Sequence, residues 1–135
     1  MAHTVPDKFL DLLQPETKAF AQLALVLADG TPQVTPIWFG YDTKTGLFTF
    51  NTARGRLKDR VMARHPVVAF AISDPQNPYR YLQVRGPVVE ETEERGYEQI
   101  CDLNEKYQGN RNYTKNPGEV RVTYRVQPER FQTMG

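Results

Sequence analysis

The clearest pattern in the chain lies near its end. Over residues 119–126, Val120, Val122, Tyr124 and Val126 alternate with Arg121, Thr123 and Arg125. A period of two sends alternate side chains to opposite faces, so this stretch predicts a half-buried final strand with one wet face, closed by Pro128. Residues 20–27 (FAQLALVL) are apolar enough for strand or helix, and Asp29-Gly30 decides for a strand entering a tight hairpin. The return strand covers residues 33–41. On it Val34, Pro36, Trp38 and Gly40 share one face, and Gln33, Thr35, Ile37, Phe39 and Tyr41 the other. A turn at 42–46 leads to a third strand beginning at Leu47, so the first three strands predict an antiparallel meander. Residues 67–72 form a fourth, and the run through Leu82, Val84, Val88 and Val89 a longer one, bent at Gly86-Pro87.

Helical spacing is confined to three places. Residues 6–13 carry Phe9, Leu10, Leu12 and Leu13, with Asp7 near the start where an acid suits the helix dipole. Leu57 and Val61 lie four apart on a short helix that His65-Pro66 ends, because the residue before proline avoids the α region. A third helix runs from a cap at Thr92 to about Tyr107, with Tyr97, Ile100, Cys101 and Leu103 as apolar positions at roughly helical spacing. Polar loops fill residues 73–79 and 108–118. Strands joined by hairpins, with no strand–helix–strand rhythm, predict a mainly β fold: a six-stranded antiparallel barrel, closed or partly closed, with small flanking helices. The chain of 135 residues shows no repeat or shift of composition, which predicts a single domain over 1–135.

The chemistry concentrates in residues 47–72. A strand ends at Asn51-Thr52, a turn follows, and the short helix begins. Arg54, Arg56, Lys58, Arg60 and Arg64 all fall between this strand and the next, offset only by Asp59. Helix starts present free N–H groups and partial positive charge. Guanidinium and ammonium groups beside such a start make a phosphate site. Gly55, within the turn, allows a ligand to approach the backbone closely. Pro36 interrupts a ladder, so its position is an edge, a bulge, or a place where the sheet opens to a ligand lying against residues 35–38.

The rest of the composition narrows the classes. The net charge is +1, so the cations are a local feature, and a dedicated nucleic-acid binder is excluded. Cys101 is alone, which excludes a disulfide framework and a zinc cluster; it reads as a small buried filler. His3 and His65 are the only histidines, too few for a His-rich metal site. No Ser-His-Asp set or carboxylate pair is visible, so no side chain is assigned as catalytic. The opening MAHTVPDKFL lacks the apolar core of a signal peptide, and no apolar run reaches membrane-spanning length. The expectation is a soluble, cytoplasmic protein. With 39% hydrophobic residues, such a chain buries more apolar surface by pairing with a copy of itself.

The order PQVTPIWFGYD, then LFTFNTARGRLKDRVMARHPVVAFAI, then PYRYLQVRGPV resembles the flavin/deazaflavin oxidoreductases of the split β-barrel fold, a superfamily that includes pyridoxamine 5′-phosphate oxidase. Within it the chain is most similar to the F420-dependent branch. The resemblance implies a homodimer with cofactor sites at the subunit interface, acting on a small-molecule substrate. It implies that Arg56 and Lys58, with Arg54 and Arg60 nearby, hold the cofactor phosphate, and that Asn51 and Thr52 lie along the ribityl chain and ring. Gln33, Thr35, Pro36 and Trp38 would approach the tricyclic ring, and Tyr79, Arg80 and Tyr81 would reach the site from the partner subunit. The implied cofactor is F420, with FMN as the alternative. The implied activity is hydride transfer from reduced deazaflavin, against an FMN oxidase or reductase or a cofactor-binding protein without turnover. Tyr79 or Tyr81 would be either a proton donor or an interface tyrosine.

Overall fold

The computed structural model describes residues 4–135, so His3 lies outside the described residues. Residues 6–13 hold the short helix expected there, a 3-10 helix over Asp7–Leu13, and a second short one follows at Pro15–Thr17. Then come β1 (Ala21–Val26), β2 (Pro32–Ile37), β3 (Gly40–Tyr41), β4 (Phe48–Ala53), α1 (Leu57–Arg64), β5 (Val67–Asp74), β6 (Asn77–Thr92), α2 (Gly96–Gln108), β7 (Arg121–Val126) and β8 (Arg130–Met134). All pairings are antiparallel, in the order β2-β1-β5-β6-β7-β4-β3, with β8 on β6. This is the mainly β split barrel expected, with eight strands where six were predicted.

The long β6 explains the split. Its first part pairs with β5 and β8, and its last part with β7, the handover falling where Val67 faces Pro87 and Val126 faces Val88. At that pivot the link from β7 to β8 crosses so closely that a Cβ on Gly86 would stand 1.9 Å from the Gln127 carbonyl oxygen. Glycine is required there by space. Both half-sheets face one core in which Phe39, Phe48, Phe50, Phe70, Leu23, Ile72, Leu82 and Tyr124 are fully buried. Phe48 and Phe50 each meet Phe70 edge-on, with ring centres 4.9 and 5.0 Å apart.

Several expectations are corrected. The meander is interrupted: the strand predicted over 33–41 breaks after Ile37 into β2 and β3, only its last residues, Gly40 and Tyr41, make the expected hairpin with β4, and the other neighbour of β4 is β7. At the break Phe39 is fully buried in the core. Its backbone is satisfied from α2: the Phe39 N–H donates to the Tyr107 hydroxyl (3.2 Å) and its carbonyl accepts from Lys106 Nζ (2.7 Å). The wet face of β7 is also covered, with Arg121 and Thr123 buried beneath α2. β7 ends at Val126, ahead of Pro128 as expected, but it is not the final strand, because β8 follows. Finally, the loop at 73–79 is a tight hairpin between β5 and β6, and Thr92 accepts the Glu94 N–H in a turn that precedes α2.

Candidate cofactor site

The basic turn joins β4 to α1, and a buried acid holds it. Asp59, in the first turn of α1 and 4% exposed, accepts the Gly55 N–H (2.8 Å), the Arg54 guanidinium (2.9 Å) and the Tyr124 hydroxyl. Burial alone would raise its carboxyl. The Gly55 N–H, the Tyr124 hydroxyl and the Arg54 charge outweigh that and keep it below the ordinary aspartate value. Arg54 also meets Glu91 and, at 3.0 Å, Glu93. Three carboxylates of its own chain therefore engage the first of the sequence-predicted phosphate cations.

The other cations are freer. Arg56 is 55% exposed and stands 3.8 Å from Glu119. Glu119 is itself tied to Arg121 (2.9 Å), the Tyr113 hydroxyl and the Asn116 N–H. Burial would raise the Glu119 carboxyl, but these partners bring it down to about 2. Among the described residues no ion pair involves Lys58, Arg60 or Arg64. Gly55 has φ +91°, a left-handed conformation that suits glycine, and nothing would lie within 4 Å of a Cβ there. The turn thus leaves open space at Gly55 beside Arg56, while its own N–H is taken by Asp59. Arg60 and Arg64 continue along α1 and, with Val26, Leu27, Leu57 and His65, line a groove of about 380 Å³ against the β1–β2 turn.

At the end of β4, Asn51 is 6% exposed, and both ends of its amide are engaged. It donates to the Gly96 carbonyl (2.9 Å) and to Gln99 Oε1 (2.6 Å), and accepts from Arg121 Nε (2.8 Å). Thr52 is likewise buried. The Asn51 side chain pins β4 to α2 and β7 just ahead of the basic turn. On β2, Gln33, Thr35 and Ile37 are half-buried while Val34 and Pro36 are exposed. Pro36 faces Gln22 of β1, and β2 has no other neighbour, so the proline sits on an edge strand where its missing donor breaks no ladder.

Gln33 lies toward the α1 end of the sheet, and Trp38 follows Ile37 at the other end, where Ile37 aligns through Ala21 with Ile72. The β5–β6 hairpin with Tyr79, Arg80 and Tyr81 projects from that second end, the length of β5, about 25 Å, from the end of α1. Within one chain these three do not join the basic turn. Tyr79 is 79% exposed. Arg80 pairs with Asp11 (2.6 Å) and Asp74 (3.1 Å) over the Phe9 ring, fastening the first 3-10 helix to the hairpin. Tyr81 is half-buried beside β8. Cys101 is buried, and among the described residues no group of three or more His, Cys, Asp or Glu could hold a metal ion. No described helix is long and apolar enough to cross a membrane.

The profile of the pyridoxamine 5′-phosphate oxidase family matches residues 5–135. The chain belongs to that family. A solved structure named F420 reductase shares 36% identity over 95% of this chain and 98% of its own, with a TM-score of 0.81. A conserved hypothetical protein from Mycobacterium tuberculosis (21% identity, 98% and 86% covered, TM-score 0.74) and HupZ of Group A Streptococcus (20%, 96% and 94%, TM-score 0.66) share the fold. No curated protein matched the chain.

This pyridoxamine 5′-phosphate oxidase family chain also uses residues that the sequence reading passed over. Asp59 and Tyr124 anchor the turn, and Lys106 and Tyr107 anchor the break after β2. Asp59 had a local signal, an acid in the first helical turn able to reach back to a free N–H. The other three act across the fold, and neighbouring residues carry no trace of their partners.

Proposed function

We propose that this protein is an F420H2-dependent oxidoreductase that reduces a small unsaturated or conjugated organic molecule, working in the cytoplasm as a homodimer. The observation that carries the reading is the basic turn itself. It presents Arg56, Lys58 and Arg60 with at most one long ion contact among them, beside open space at Gly55, in a chain 36% identical to a protein named F420 reductase. That donor set fits a phosphate-bearing ribityl chain. FMN shares that chain. The deazaflavin is preferred because Arg60 and Arg64, with no internal acid partner, extend the positive charge along α1, which suits a cofactor with a further anionic tail.

In this reading Arg56 and Lys58 hold the phosphate, and Arg60 and Arg64 accept the tail. Arg54 keeps the turn in place. Gln33, Thr35 and Trp38 line the tricyclic ring, while the ribityl chain lies against the strand end at buried Asn51 and Thr52. A reduced deazaflavin, when bound, supplies the hydride; the protein supplies orientation and exclusion of water. The unpaired outer edge of β2 and the exposed Tyr79 support pairing with a second copy, which would bring Tyr79, Arg80 and Tyr81 toward the other subunit's ring. Parallel titrations with F420 and FMN, followed in the visible spectrum, test the proposal. Tight F420 binding with weak FMN binding is the expected result, and the reverse would replace F420 by FMN.

A further inference from the structure

Trp38 is the only tryptophan in the chain, and it sits in the two-residue break between β2 and β3. Its indole stacks on the Tyr107 ring, with centres 5.1 Å apart and planes 9° from parallel. Tyr107 is held on several sides. Its hydroxyl donates to the Ala19 carbonyl (2.6 Å) and accepts from the Phe39 N–H (3.2 Å), and Phe20 packs on its ring at 5.1 Å. Burial pushes the hydroxyl up to about 12, so it stays protonated and can make both bonds. The preceding residue, Lys106, binds the Phe39 carbonyl at 2.7 Å and lies 3.8 Å from the centre of its ring. Two consecutive residues of the last turn of α2 thus hold both the backbone and the side chains at the break. Trp38 is half-exposed, and among the described residues Tyr107 is its only aromatic neighbour. Tyr107 supports one face of the indole, and part of the residue stays exposed.

We infer that Tyr107 is a positioning residue that sets the plane of Trp38 and, through it, the orientation of the bound cofactor ring. This rests on the reading that Trp38 lines that ring. An indole at a strand break would otherwise move among its rotamers, and loose placement is costly where hydride transfer needs near-contact geometry. Affinity and orientation are then divided: the basic turn holds the charged chain, and the Tyr107–Trp38 stack orders the ring.

Tyr107→Leu and Tyr107→Phe test this without turnover. The readouts are acrylamide quenching of Trp38 emission, the dissociation constants of F420 and FMN, and the visible circular dichroism induced in the bound chromophore. In Tyr107→Leu, Trp38 becomes more quenchable and the induced signal falls by about tenfold, while F420 affinity stays within about threefold because the phosphate contacts are intact. In Tyr107→Phe, which keeps the stack but loses both hydrogen bonds, the induced signal falls by about half. That variant carries the test alone should the leucine variant fail to fold. An induced signal equal to wild type in a folded variant overturns the positioning role and leaves the cofactor reading standing. If wild-type protein binds neither F420 nor FMN, the cofactor reading falls, and the inference with it.

Discussion

Tyr124 of β7 donates its hydroxyl hydrogen bond to Asp59 of α1 in the interior, joining the sheet to the helix that carries the basic turn. Replacing Asp59 with Ala strands that hydroxyl, the Gly55 N–H and one face of Arg54 together, and costs about 3 kcal/mol of stability in urea denaturation. Asp59→Asn keeps an acceptor but not the charge and costs less, about 1–2 kcal/mol. The pH dependence has a definite sign. The native carboxyl sits below its unfolded value of 3.8, so its contribution is complete above that value and is lost as pH falls through the native one. The wild-type advantage over Asp59→Asn therefore shrinks from about pH 5 down to about pH 3. An advantage constant over that range would mean that the charge is not what holds the turn.

The cations of the turn divide into two groups by partner. Arg56→Ala and Lys58→Ala each weaken cofactor binding by about 1–3 kcal/mol, the worth of a lost charged hydrogen bond, and leave the melting temperature almost unchanged. Arg54→Ala does the opposite. It leaves Glu91, Glu93 and the buried Asp59 without their shared cation, and lowers stability by about 1–2 kcal/mol, the exposure of Arg54 limiting the loss. Thermal melts beside binding titrations on the three variants separate the roles. A strong loss of affinity with no loss of stability in Arg54→Ala would return that residue to the phosphate.

What the sequence made legible follows the range of the forces involved. The β1–β2 hairpin, α1 and the alternation of β7 are set by neighbours two to four residues apart, so pattern alone finds them. The same local reading placed Gly55 and Arg56 in one exposed turn and Lys58 at the start of the helix that follows. It could not see that the backbone of Phe39 would leave the ladder for side chains of α2, because those partners, Lys106 and Tyr107, are more than sixty residues away. Nor could it see α2 settle over Arg121 and Thr123, which turned an expected wet face into a buried one. β8 carries a single half-buried apolar side chain, Phe131, within its partly polar sequence and gives almost no alternating signal. The roles of Arg54 and Arg80 were hidden for the same reason: a cation's partner depends on the fold, and here both found carboxylates of their own chain.

Lys106 sets an expectation on the alkaline side. Burial brings its ammonium down to about 8 from 10.5. The charged form is therefore disfavoured in the native state, and the unfolded chain binds more protons between those values, so stability rises with pH across that window. Lys106→Met removes the dependence and also the bond to the Phe39 carbonyl. Wild type should gain on the order of 2 kcal/mol relative to Lys106→Met between about pH 7.5 and pH 10, read from urea midpoints at each pH. Parallel stability curves for the two proteins over that range would show the ammonium to be solvated.

The pivot of β6 offers the sharpest test of the architecture. At Gly86 the two half-sheets part, and the Glu129 N–H donates to the Arg85 carbonyl (2.9 Å) while the Gln127 N–H donates to Pro87 (3.0 Å). Those bonds draw the β7–β8 link directly over the glycine, so a Cβ would meet backbone at 1.9 Å, and backbone cannot rotate away as a side chain can. Gly86→Ala therefore costs about 3 kcal/mol or more, or leaves the protein unfolded, a far larger effect than alanine has at an open position. Gly109→Ala is the control. Its φ of +85° makes alanine strained there too, but nothing lies within 4 Å of the added carbon, so its cost stays at about 1–2 kcal/mol. If urea denaturation gives the two variants equal stability, the crossing at Gly86 is not as close as described.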